Sequence, residues 1–311
     1  MRALVVGAGG FAGHYLLKEL ESSGAEVFAT KLEGERIDNP GVEVFNLDIT
    51  DMEAVFSLFG KIRPDCVYHL AAQSSAALSW KKPQLTMNVN VIGAINVLEA
   101  VREINSKARV LLIGSGEEYG NVLGEEIPIK ESNPVRPANI YAVSKLAQNL
   151  VGGLYFKAYG TDIISVRAFN HIGPMQAQTF VASDFCRQAA MIEKGLKEPV
   201  IYVGNLSAVR DFTDVRDVVR AYRLLMEKGV SGKTYNVGGG TVCSIEELLD
   251  RILRLSGAKI RVEVDKEKLR PIDTPKICAD ISEIKKDTGW IPVIDLDKTL
   301  SDTLDFWRKT C

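Results

Sequence analysis

The 311-residue chain has no long hydrophobic run, no Cys-x-x-Cys pair, no clustered histidines and almost no net charge. Each absence removes a class of function. Its wholly apolar stretches, such as Val110-Leu111-Leu112-Ile113, fall far short of the roughly 18 to 20 residues that span a bilayer, so no membrane role is expected. Met1 and Arg2 lead straight into Ala3-Leu4-Val5-Val6-Gly7, too little for a secretory h-region, which predicts a cytoplasmic location. The formal charge of −2 comes from interspersed Lys, Arg, Asp and Glu; without a basic block, nucleic acid is not an expected partner. Cys66, Cys186, Cys243, Cys278 and Cys311 are odd in number and widely spaced, as befits reduced thiols. His14, His69 and His171 are far apart, and no metal is predicted.

What is present is alternation. From Arg2 to about Gly173, short β-branched runs at 2–7, 25–30, 42–47, 65–70, 108–114 and 162–168 alternate with helical patterns at 11–23, 51–60, 84–105 and 139–159. That order predicts an α/β fold built on a Rossmann-type, doubly wound parallel sheet. After Pro174 the alternation fades, and the spacing predicts helices near 180–195, 214–227, 244–256 and 295–308 with strands at 200–203 and 259–264. The expected organisation is a dinucleotide-binding domain over 1–173 and a smaller, irregular α/β substrate lobe over 174–311, with elements free to cross between them.

Gly7, Gly10 and Gly13 stand three residues apart between the first strand and the first helix. This setting suits a pyrophosphate: Gly7 turns tightly, Gly10 lets the backbone approach, Gly13 lets helix and strand pack, and the helix start offers N–H groups. At the end of the second strand, Thr30 and Lys31 stand where a carboxylate would bind a ribose 2′-hydroxyl. They favour NADP. NAD is the alternative, because Glu33 and Glu35 are close by in sequence.

Tyr141 and Lys145 lie four residues apart at the start of a helical pattern, hence on one face. An ammonium beside a phenol draws its pKa from about 10 toward the working range, so the pair can move a proton, and Lys145 can also donate to a cofactor ribose. At the end of the fifth strand, Ser115, Glu117 and Glu118 place a hydroxyl and carboxylates where substrate would lie.

Taken with His69-Leu70-Ala71-Ala72 and Asn90-Val91-Ile92-Gly93, these motifs resemble the extended short-chain dehydrogenase/reductase family of nucleotide-sugar enzymes over nearly the whole chain. The resemblance implies that Ser115 binds the reacting sugar oxygen and Tyr141 exchanges the proton. It also implies that Asp48 and Ile49 flank the adenine, that Phe11, Leu70, Ala71 and Ala72 line the cofactor trough, and that Asn90 is structural. For His69 a buried strand-end role is expected. Phe169 to Pro174 and Gly204 to Asp214 look like the substrate motifs of enzymes acting on GDP-mannose derivatives, which implies that Asn170, Arg210 and Arg270 hold a diphosphate while Asn205 and Leu206 touch the nucleoside.

Two reactions of that subfamily compete. Its 4,6-dehydratases carry a threonine, an aspartate or serine, and a glutamate in succession, where this chain has Ser115, Gly116 and Glu117. Glycine removes the side chain that would help the C6 hydroxyl leave, which favours reduction of GDP-4-keto-6-deoxymannose to GDP-D-rhamnose. Glu117 keeps the dehydratase alternative in play, with a 4-epimerase or a non-catalytic NADP sensor further behind. The resemblance implies a homodimer paired through the helices at 84–105 and 139–159.

Overall fold

The computed structural model describes residues 1–265, 268 and 276–311. Arg270 is thus outside the described residues. The first half runs β1 (Arg2–Val6), α1 (Phe11–Ser22), β2 (Glu26–Lys31), β3 (Glu43–Asn46), α2 (Met52–Ile62), β4 (Cys66–His69), α3 (Ala76–Lys81), α4 (Pro83–Met87), a π-helical turn (Asn88–Ile92), α5 (Gly93–Ile104), β5 (Arg109–Ser115), α6 (Ile140–Tyr159) and β6 (Ile163–Ala168). The second half runs β7 (Asn170–Ile172), α7 (Val181–Glu193), β8 (Val200–Val203), β9 (Val209–Asp214), α8 (Val215–Lys228), β10 (Thr234–Val237), β11 (Val242–Ser244), α9 (Ile245–Ser256), β12 (Arg261–Val264), α10 (Ser282–Thr288) and α11 (Leu296–Thr310).

Seven parallel strands form the main sheet in the order β10-β6-β5-β4-β1-β2-β3. Runs such as Ala3-Leu4-Val5-Val6 are wholly buried because helices cover both faces. On one face Leu16, Leu17 and Leu20 of α1 pack with Val218, Val219, Tyr222 and Leu225 of α8. On the other, Val55 and Phe59 of α2 meet Val97, Leu98 and Val101 of α5. Strand order reverses beside β1, which leaves the crevice between the carboxyl ends of β1 and β4 open to a ligand.

After Pro174 the chain returns to this sheet through α8, β10 and α10. α8 covers β5, and β10 pairs with β6, Thr234 opposite Ser165. The rest builds two small sheets, β11-β9-β7 and β12-β8, around a separate apolar cluster drawn partly from α7, α9 and α11. The helix expected at 84–105 is helical throughout but interrupted by the π turn; α3, α10 and strands β7, β9, β10 and β11 had no clear periodic signal. No described helix is long and apolar enough to cross a membrane.

Candidate active site

The glycine loop fits a dinucleotide on its own geometry. Gly7 has φ +84°, and a Cβ there would lie 2.5 Å from the Ala71 backbone; a Cβ on Gly13 would lie 2.5 Å from the Ala8 carbonyl oxygen. Protein packing therefore demands both glycines. At Gly10 an added Cβ meets nothing closer than the Gly7 oxygen at 3.7 Å, so what that glycine leaves free is the outer side of the loop. α1 begins there with no side-chain cap and no acidic residue in its first turn, an arrangement suited to phosphate.

The other proposed cofactor residues are placed unevenly. Ala71 N donates to the Val6 carbonyl, which sets Leu70, Ala71 and Ala72 against the loop. Thr30 is buried and its hydroxyl accepts the Gly7 N–H at 3.0 Å, so it braces the loop. Lys31 is half-buried at the edge. Asp48 is exposed and accepts from the Thr50 N–H and hydroxyl, whereas the Ile49 side chain is buried beneath Gly93 in the core. Phe11 stacks on His171 with ring centroids 5.9 Å apart, joining the loop to the Asn170–Pro174 segment.

Opposite the loop, α6 is capped by Asn139, whose Oδ1 accepts from Ala142 N while its Nδ2 donates to Glu117 at 2.8 Å. This cap ties the start of α6 to the turn after β5. Tyr141 hydrogen-bonds the Ser115 side chain; where Lys145 was expected to draw the phenol down, burial, then the Glu117 charge, push it above the ordinary value instead. The Lys145 ammonium, 2% exposed, donates to the Ile113 carbonyl at 2.8 Å and to Gln148 at 3.1 Å. Burial brings its pKa down to about 8, against a smaller upward pull from Glu118. Between them, Ser144 accepts from Asn90, which also grips the Gln73 backbone. The π turn carries Asn90 into this buried position. His69 is fully buried, which pulls its pKa down to about 3.

The substrate motifs meet the same edge. Ser115 pairs with Ala168 across β5 and β6, and two residues on, Asn170 is exposed. In β7 Asn170 stands opposite Phe212 of β9, which places it on the same face of the small sheet as Arg210. Asn205 caps its own turn through Ser207, and Leu206 packs against the small-lobe cluster. Gly116 is covered: a Cβ there would be 3.2 Å from the Phe169 ring. Glu118, expected beside Glu117 where substrate would lie, is instead fully buried and paired with Arg167 at 3.0 Å.

Among the described residues no cluster of His, Cys, Asp and Glu could hold a metal ion. The sequence model of a family described as GDP-mannose 4,6 dehydratase matches residues 4–303. The chain belongs to this family. It is 31% identical over 262 residues to a GDP-6-deoxy-D-mannose reductase of Pseudomonas aeruginosa, covering 84% of this chain and 86% of the relative. It is 29% identical to a GDP-mannose 4,6-dehydratase of Vibrio cholerae, covering 96% and 91%. Among solved structures, RMD from Pseudomonas aeruginosa complexed with NADPH superposes with a TM-score of 0.89 at 29% identity, covering 100% of this chain and 99% of that one. A UDP-glucose 4-epimerase from Thermus thermophilus complexed with NAD gives 0.89 at 30% identity, with full coverage of both. The fold is that of the short-chain dehydrogenases and reductases, and the chain is an NAD(P)-dependent enzyme of that type.

Proposed function

We propose that this enzyme reduces GDP-4-keto-6-deoxy-D-mannose to GDP-D-rhamnose with NADPH, NADH being the alternative. The observation that carries this reading is Gly116: the position between Ser115 and Glu117 bears no acid or hydroxyl, and Phe169 closes over it. Expulsion of the C6 hydroxyl needs a proton donor that this position does not provide. Reduction needs less. The cofactor supplies the hydride; Ser115 hydrogen-bonds the ketone oxygen, Tyr141 gives it a proton, and the Lys145 ammonium stabilises the phenolate left behind. A phenol held above its ordinary pKa is protonated at neutral pH, as a proton donor must be. The reductase relative supports this reading. Glu117, held by Asn139 at the dehydratase base position, favours the second reading, 4,6-dehydration, as do the relatives named dehydratases. Incubation with NADPH and the keto sugar separates the two, since reduction consumes NADPH and dehydration of GDP-mannose does not.

In this proposal 1–173 binds the dinucleotide and 174–311 supplies the sugar-nucleotide side, with α8 and β10 crossing back. Asn170, Arg210 and Arg270 hold the diphosphate, and Asn205 and Leu206 the nucleoside. Asp48 and Ile49 flank the adenine, Ile49 through its backbone. Five unpaired thiols fit a reducing, cytoplasmic compartment.

Cofactor choice turns on two side chains at the loop's edge. Lys31 attracts a 2′-phosphate. Glu35 accepts the Leu32 N–H at 3.0 Å and lies so close to Gly9 that a Cβ there would be 2.2 Å from its carboxylate. Glu35→Gln removes a charge that repels the phosphate and should raise NADPH affinity relative to NADH by about three- to tenfold, the size of a screened surface interaction; fluorescence titration with both cofactors reads the ratio.

A homodimer belongs to the same proposal. Leu85 and Ile92 beside α5, and Val143, Leu150 and Leu154 along α6, are all more than 40% exposed and form an apolar surface of the kind two-fold partners bury. Leu150→Glu with Leu154→Glu should convert the sedimenting species from dimer to monomer at micromolar concentration; an unchanged sedimentation coefficient would remove this face from the assembly.

A further inference from the structure

Behind Ser115 stands an ion pair for which the reaction outlined above has no use. Glu118 is completely buried on the turn that follows β5. One carboxylate oxygen accepts the Ser115 backbone N–H at 2.9 Å and the Asn149 amide of α6 at 2.8 Å; the other accepts Arg167 Nε of β6 at 3.0 Å. A Cβ on Gly114 would lie 2.2 Å from that first oxygen, so the strand carries a glycine where the carboxylate leans on it. Arg167 is held in turn: it donates to the Tyr119 hydroxyl at 2.9 Å and the Glu131 carbonyl at 3.2 Å, and its guanidinium lies 4.6 Å over the Tyr119 ring. Tyr119 donates to Asn236 of β10 at 2.7 Å. A buried charge is costly unless fully partnered, and this one has three donors.

We propose that Glu118, held by Arg167, is a positioning residue of the reaction centre: it fixes the Ser115 backbone two residues beyond the Ile113 carbonyl that holds Lys145, and through Asn149, one turn after Lys145 on α6, it sets a carboxylate behind that ammonium. The proposal rests on the reading of Tyr141 and Lys145 as the proton-handling pair. Lys145 is enclosed by neutral acceptors, the Ile113 carbonyl from β5 and Gln148 from its own helix, and by His69 of β4, which burial keeps neutral. Glu118, whose own carboxyl burial pushes up while the Arg167 charge and the Ser115 N–H pull it back, is the acidic group that raises the Lys145 pKa against burial. Glu118 also raises the Tyr141 phenol, in the same direction as Glu117, which holds the proton in place for donation.

The sign of the effect follows. With Glu118 neutral, burial acts on Lys145 unopposed and the ammonium loses its proton at lower pH. The test is NADPH binding, followed by nicotinamide fluorescence over about pH 6 to 10, for wild type, Glu118→Gln and the doubly neutral Glu118→Gln/Arg167→Met. The double variant leaves no unpaired buried charge and keeps the test open where the single one folds poorly. Wild-type affinity should fall with a midpoint near the Lys145 value of about 8, and in folded variants that midpoint should move down by about one pH unit. Coincident midpoints in folded variants, or no titration in wild type, overturn the proposal. The outcome is independent of the sugar: a protein with the shifted midpoints that reduces no GDP-keto sugar contradicts the reductase reading alone, and unshifted midpoints in an active reductase contradict only the role of Glu118.

Discussion

Replacing Tyr141 by Phe should lower kcat for hydride transfer about 10³-fold, within the range by which a positioned acid–base group accelerates a reaction, while leaving the Kd for NADPH within a factor of about three. The split follows from geometry. The Tyr141 hydroxyl hydrogen-bonds Ser115 at the proposed substrate end of β5, whereas the loop proposed to receive the dinucleotide is built by Gly7, Gly10, Gly13 and the start of α1. Phenylalanine keeps the ring and its packing and removes only the hydroxyl, with its proton and its bond to Ser115. Single-turnover absorbance at the nicotinamide band, with cofactor affinity measured alongside, reads both quantities. An unaffected rate would remove Tyr141 from the chemistry, and an equal loss of affinity would make its role one of binding.

Gly13→Val should act on the opposite quantity. The Ala8 carbonyl oxygen, Cα and carbonyl carbon would lie 2.5, 2.6 and 2.7 Å from a Cβ at Gly13, all of them backbone, so α1 must move off β1. Overpacking of this kind costs about 1–3 kcal/mol, and here it displaces the N–H groups proposed to face phosphate. The Kd for NADPH should rise about 10- to 100-fold, the same energy in binding terms. Gly10→Ala separates packing from ligand approach. Its Cβ meets nothing of the protein within 3.7 Å, so thermal stability should hardly change while cofactor affinity falls. Loss of stability at Gly10, or unchanged affinity at Gly13, would contradict this division of labour.

The parallel core was legible because burial on both faces of a strand requires a run such as Val5-Val6 or Val110-Leu111-Leu112, and such runs stand out between helical patterns. β10 did not stand out. Its four residues, Thr234–Val237, run into three glycines, and their place beside β6 depends on the return of the chain through α8. The π turn at Asn88–Ile92 was equally hidden, because one widened turn leaves the apolar spacing of the surrounding helices almost intact.

In the site, Ser115, Tyr141 and Lys145 were readable from spacing and position on elements. Glu118 was not, since its partner Arg167 is 49 residues away and reaches it through the β5–β6 register, Gly114 opposite Arg167. Thr30 and Ile49 show the reverse limit. Their positions in the chain are those of cofactor contacts, yet the Thr30 hydroxyl is engaged by Gly7 and the Ile49 side chain lies in the core. Sequence order locates a strand end but not the direction in which each side chain leaves it.

We propose Ser115, Gly116 and Tyr141 as a centre for reducing a ketone. The most direct measurement is nicotinamide absorbance when the purified enzyme, NADPH and GDP-4-keto-6-deoxy-D-mannose are mixed, with the sugar nucleotide then resolved by chromatography. Stoichiometric loss of NADPH with formation of GDP-D-rhamnose is expected, and no keto sugar when GDP-mannose replaces the ketone. Persistence of the NADPH band with the ketone, together with a 4-keto-6-deoxy product from GDP-mannose, would contradict it and identify a dehydratase.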